Sequence, residues 1–130
     1  MPHPRPADNR VFMKANLLWI EVVGDQTKDT VRAMGEEITA LVTDLRAQKR
    51  PVLIMDDVTR ICCASPDALM GVALLARIVD YDKAAMVDTH TGILKTTINL
   101  ILASIKRTNA HYFSEVAPAQ AWLEEPSAKA

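Results

Sequence analysis

The stretch Pro51–Asp67, PVLIMDDVTRICCASPD, constrains this chain more than any other. Val52–Met55 is an unbroken apolar run bounded by polar residues, the pattern of a strand buried on both faces. Pro51 is able to start such a strand but not to sit inside its ladder. Asp56 and Asp57 mark the acidic strand end, and a tight connection carrying Cys62 and Cys63 follows. Ser65-Pro66-Asp67 then opens a helix, with a hydroxyl at the cap, proline at the first helical position and an acid in the first turn. A buried strand feeding a capped helix is the first half of a βαβ unit.

The flanking sequence supplies the rest. Val11–Ala15 and Leu17–Gly24 are rich in β-branched and aromatic residues and are separated by Asn16, which predicts a short hairpin. From Lys28 to Lys49, Val31, Met34, Ile38, Leu41, Val42 and Leu45 recur at helical spacing with charges opposite, so this segment is an amphipathic helix. Asp25 or Thr27 is its candidate cap, and Gly35 inside it is best used for close packing. The next helix, Pro66–Val79, is apolar almost all round (Leu69, Met70, Val72, Leu74, Leu75, Ile78, Val79). Such a helix is deeply buried or covered by a partner. Lys83–Val87 predicts a strand, Ile93–Ile105 a helix, Ala110–Phe113 a last strand, and Pro118–Glu125 a closing helix that docks Trp122 and Leu123.

The expected fold is therefore α/β, in the order β-β-α-β-α-β-α-β-α. Its sheet is mostly parallel with an antiparallel edge hairpin, covered by amphipathic helices. Residues 11–125 form one domain, with a proline-rich lead-in over 1–10 and a frayed tail over 126–130.

Composition removes several function classes. The formal net charge is −1 and acid and base are mixed along the chain, so no basic face is available for a phosphate backbone. No apolar run approaches the ~20 residues of a membrane helix, and the N-terminus has no signal core, so a cytoplasmic location is expected. Cys62 and Cys63 are neighbours and do not staple the chain. His3, His90 and His111 lack ligand spacing, so no metal or other cofactor is expected. Gly92-Ile93-Leu94-Lys95-Thr96 lacks the glycines of a phosphate loop. No nucleophile, base and orienting group can be read together, and the expectation is a protein without enzymatic activity.

The element order, together with DVTRICCASPDAL after a buried strand, resembles the STAS family of anti-sigma-factor antagonists and sulfate-transporter cytoplasmic domains. In that family the third strand is an aliphatic stretch and an Asp, then a Val-Thr-x-Ile phrase and Asp-Ser-Ser-Gly. Here Leu53–Asp56 matches the strand, Val58-Thr59-Arg60-Ile61 the phrase, and Cys62-Cys63-Ala64-Ser65 stands in place of the last four. Tyr112-Phe113-Ser114 followed by Ala119-Gln120-Ala121-Trp122-Leu123 is similar to the divergent SpoIIAA-like branch. The resemblance implies a regulatory module that binds a protein partner, through a loop that a kinase phosphorylates in some members. That phosphorylated Ser corresponds to Cys63, so the phospho-switch is not expected here. Ser65 is expected to cap its helix.

The binding surface expected on this basis comprises Asp56, Asp57, Ile61, Cys62, Cys63, Ala64, Ser65 and Asp67, presented to a protein partner or to a second copy. Two alternatives use the same edge. One is a small lipophilic or anionic ligand; strand ends of open sheets bind such molecules, and an apolar one needs an enclosed pocket bounded by Leu69, Leu74 or Ile98. The other is a thiol redox or sensor role, since a cysteine at a helix N-terminus has its thiolate stabilised by the dipole. Buried filler is the commoner use of such cysteines. Asp56, Asp57 and Asp88, with Asp25 nearby, are expected at neighbouring strand ends as turn formers and caps rather than as Mg²⁺ ligands.

Overall fold

A computed structural model describes residues 7–89 and 109–125. β1 (Arg10–Lys14) turns through Ala15 and Asn16 into β2 (Leu17–Gln26), and both turn residues have positive φ, 52° and 65°. A two-residue turn of this kind matches the twist of an antiparallel hairpin, and Asn adopts it at low cost. Pairing runs from Arg10↔Glu21 to Lys14↔Leu17. α1 (Lys28–Ala47) is capped by Thr27, whose Oγ1 accepts from the Thr30 N–H while Thr30 Oγ1 accepts from the Thr27 N–H. There follow β3 (Leu53–Ala64), α2 (Pro66–Ile78), β4 (Lys83–Val87), β5 (Ala110–Phe113) and α3 (Val116–Glu124). The helix expected over Ile93–Ile105, the lead-in's first residues and the tail lie outside the described residues.

The five strands form one sheet in the order β1-β2-β3-β4-β5, antiparallel in the first pair and parallel thereafter. The β2–β3 and β3–β4 crossovers step the same way, which carries α1 and α2 to one face. There Met34, Ile38, Val42 and Leu45 of α1 close on Leu18, Ile20, Val22, Ile54 and Val58. α3 closes the opposite face, burying Ala119 and Leu123 against Leu17, Met55, Ala85 and Val87. The Lys83 ammonium fixes the end of α3 by donating to the carbonyls of Trp122 (2.8 Å) and Glu125 (3.0 Å) at the helix C-terminus.

α1 and α2 touch through glycine. A Cβ on Gly35 would lie 2.9 Å from Leu75 Cδ2, and one on Gly71 would lie 3.0 Å from Val31 Cγ1. Close packing is thus the use of Gly35, as expected from its place in the helix.

β3 departs from the expected length. The strand does not stop at Met55 but runs twelve residues, through both cysteines, to Ala64. Val58, Thr59 and Ile61 are β-branched, and β2 runs equally far beside them, so pairing outweighs the low strand preference of Asp56 and Asp57.

Candidate functional site

β4 pairs with β3 only as far as Asp57↔Val87. Beyond that point β3 continues against β2 alone, through Val23↔Arg60, Gly24↔Ile61, Asp25↔Cys63 and Gln26↔Ala64. Two register shifts, between Glu21 and Val23 and between Gly24 and Asp25, bend this two-stranded arm. Gly24 has φ 84°, a conformation that side chains resist. The tip is tied down by Asn9, whose Oδ1 accepts from the Val23 N–H (2.9 Å) and from Gln26 Nε2 (3.0 Å). Gln26 Oε1 in turn accepts from Asn9 Nδ2 and from Thr30 Oγ1, coupling the arm to the start of α1. Among the described residues, no strand pairs with the outer edge of Val58–Ala64.

Cys62 and Cys63 are exposed on this arm, and neither is in a disulfide. They therefore lie on a strand, ahead of the cap, and not at a helix N-terminus as expected. Cys63 Sγ donates to Asp25 Oδ1 at 3.1 Å. That bond chiefly, then desolvation and the Asp25 charge, raises the Cys63 pKa. A reactive cysteine needs the opposite shift, so the redox reading finds no support at Cys63. Ser65 is a cap: its Oγ accepts from the Ala68 N–H at 3.1 Å, and its own N–H donates to the Gln26 carbonyl. Asp67 is exposed in the first turn of α2.

Asp56 and Asp57 part company, because successive strand residues face opposite sides of a sheet. Asp57 forms a local turn-like contact, its Oδ1 accepting from the Thr59 N–H (2.9 Å) and Oγ1 (2.6 Å). Asp56 faces α1 and α2, between Ile20 of β2 and Met86 of β4. The residue is half-buried, but its Oδ1 is sealed from solvent and has no hydrogen-bond partner. Burial first, and then the Asp57 charge, pushes its pKa up to about 7. Asp56 is thus neither cap nor turn former, which corrects the expectation. The signal was in the sequence: Ile54 and Val58, two positions either side, are core residues. Asp25 is engaged with Cys63 at the arm tip, and Asp88 follows β4, where its N–H donates to the Phe113 carbonyl. Among the described residues, no group of three His, Cys, Asp or Glu is placed to hold a metal ion.

Two apolar features adjoin the arm. A cavity of about 120 Å³ lies between the sheet and the two helices, lined among others by Ile20, Met34, Ile54, Asp56, Leu69 and Leu75. Leu69 bounds it as expected; Leu74 points outward, and Ile98 lies outside the described residues. On the outside of α2, Met70, Leu74 and Ile78 are 72%, 55% and 63% exposed. They follow one another at intervals of four and form a single row along the helix.

No family model matches the chain, and no curated protein sequence does. Among solved structures it is similar to an uncharacterized protein of the DUF3478 family, with a SpoIIAA-like fold, from Shewanella loihica PV-4. The identity is 16%, the TM-score 0.61, and the match covers 95% of this chain and 98% of that one. The fold is SpoIIAA-like.

Within a SpoIIAA-like fold the departure at Cys62-Cys63 acquires a structural form. The Cys63 thiol is bonded to Asp25, and the Ser65 hydroxyl is engaged in the cap. Among the described residues, no helix is long and apolar enough to cross a membrane.

Proposed function

We propose that this chain is a non-enzymatic regulatory module that docks a protein partner across the Ile61–Leu69 segment, the outer edge of β3 and the outer row of α2. The observation that carries this reading is the row Met70, Leu74 and Ile78, which a self-sufficient fold would turn inward. Covering such side chains is worth about 1.5–3 kcal/mol each, enough to anchor an interface. Among the described residues no strand covers the neighbouring β3 edge, the kind of edge to which an extended partner segment can be added. The partner is a different protein: the edge is bent by two register shifts and carries Arg60, both features that discourage pairing with a second copy.

The test is affinity capture with the full chain and with Leu74→Glu and Ala64→Arg, both at positions outside the buried core. A defined protein held by the wild type and lost from both folded variants is expected. An unchanged capture profile, or a wild type that sediments as a homodimer through this face, would remove the reading.

A further inference from the structure

The space beneath α1 and α2 has an unusual wall. The helices contribute only apolar side chains to it, among them Val31, Met34 and Ile38 of α1 and Leu69, Val72 and Leu75 of α2. From the sheet, Ile20, Ile54 and Val58 surround a single carboxylate, Asp56, whose Oδ1 lacks any hydrogen bond. A buried acceptor left without a donor costs about 1–3 kcal/mol. The Gln26 side chain also reaches the cavity, but its groups are engaged by Asn9, Val23, Gly24 and Thr30.

We propose that this cavity binds a small neutral amphiphile of about phenol's bulk, with its hydroxyl donating to Asp56 Oδ1 and its apolar body between Ile54, Met34 and Leu75. Size supports the match, since a hydrocarbon-lined cavity of roughly 150 Å³ holds benzene. Chemistry narrows it further. A plain hydrocarbon leaves the Asp56 oxygen unsatisfied, an anion meets a like charge, and a cation loses more hydration than one carboxylate restores. A water molecule needs two to four polar partners, and the described residues of this wall offer few. The hydroxyl of a phenol or a short alcohol supplies one donor and buries everything else.

Burial pushes the Asp56 pKa up to about 7, which agrees with this environment, and pH 8 is chosen to lie above it. Among the described residues, the other titratable groups near it are Asp57 on its own strand, Tyr81 ahead of β4 and Tyr112 on β5, while the His111 ring packs on Trp122 across the sheet. α1 and α2 bring none to the wall.

The experiment titrates the full-length chain at pH 8 with phenol and with toluene, reading methyl NMR shifts of Ile20, Ile54, Leu69 and Leu75. Affinity on the order of 1 mM is expected for a ligand of so few atoms. Phenol should bind roughly tenfold or more tighter than toluene, a margin of about 1.4 kcal/mol. Asp56→Leu should erase that preference, Val72→Phe should block both probes, and Leu74→Glu, on the outside of α2, should change nothing. If Asp56→Leu does not fold, the wild-type preference decides alone. Equal binding of the two probes, shifts confined to Met70, Leu74 and Ile78, or no shift at all would overturn the proposal. Because Leu74→Glu disables the docking face and not the cavity, failure of one reading is separable from failure of the other.

Discussion

α1 and α2 lie side by side on one face of the sheet, yet they meet water in opposite ways. α1 carries charges on its outer face and buries Val31, Met34, Gly35, Ile38, Val42 and Leu45. α2 is far more apolar, but only Ala68 is buried along its length. Its inner side chains line a cavity and its outer row faces solvent. The more hydrophobic helix therefore does less to hold the fold together. Apolarity beyond what the core consumes is surface in search of an occupant, inside or out.

The largest effect should separate the two helices directly. Ile38→Ala on α1, at a side chain only 3% exposed, should lower stability by about 2–5 kcal/mol in urea unfolding. Leu74→Ala on α2 should stay within roughly 0.5 kcal/mol of wild type. Comparable losses at both sites would show that α2 contributes to the core as α1 does.

The floor they share gives the next effect. Asp56 binds its proton more tightly folded than unfolded, since its pKa rises to about 7 from an unfolded value near 3.9. Stability is fullest below the unfolded value and falls as pH climbs to about 7, by up to about 4 kcal/mol. Asp56→Asn cannot ionise, so wild type minus variant should slope downward between pH ~4 and ~7 and be flat outside it. A difference that does not change with pH would mean that the carboxyl is hydrated after all.

The smallest effect sharpens the contact between the helices. Gly35→Ala gains about 1 kcal/mol of helix propensity and drives a Cβ to 2.9 Å from Leu75 Cδ2. Leu75 borders the cavity and has room to yield, so the net change should stay under about 1 kcal/mol by thermal unfolding. A loss well beyond that would mean the cavity wall is rigid.

Much of this was legible beforehand because local signals agreed. Asn16 between β-rich runs, the period of α1, and Ser65-Pro66-Asp67 each have one structural solution, and the chain takes it. The far half of β3 was not legible, because Asp-Asp-Val-Thr-Arg reads as turn chemistry until β2 is known to run alongside it. Asp56 was half legible: alternation places it with Ile54 and Val58, but the absence of a donor depends on every neighbour at once. A pocket beside Leu69 was only one of the alternatives the sequence left open, because its size depends on how the two helices pack on the sheet. Of the residues expected at the candidate surface, Ile61, Cys62, Cys63, Ala64, Ser65 and Asp67 lie along the arm and helix start. Asp56 now belongs to the interior.

The sequential strand order also bears on how the sheet is made. β1 and β2 meet through a two-residue turn, a microsecond event, and β3, β4 and β5 then add in turn to a single growing edge. Among the described strands, none has to be inserted between two that are already paired. Each step closes one crossover loop on a template already present, at an entropic cost that grows only slowly with loop length. A chain emerging from its N-terminus could lay down this sheet in the order in which it is synthesised, and β5, only four residues long, would complete it.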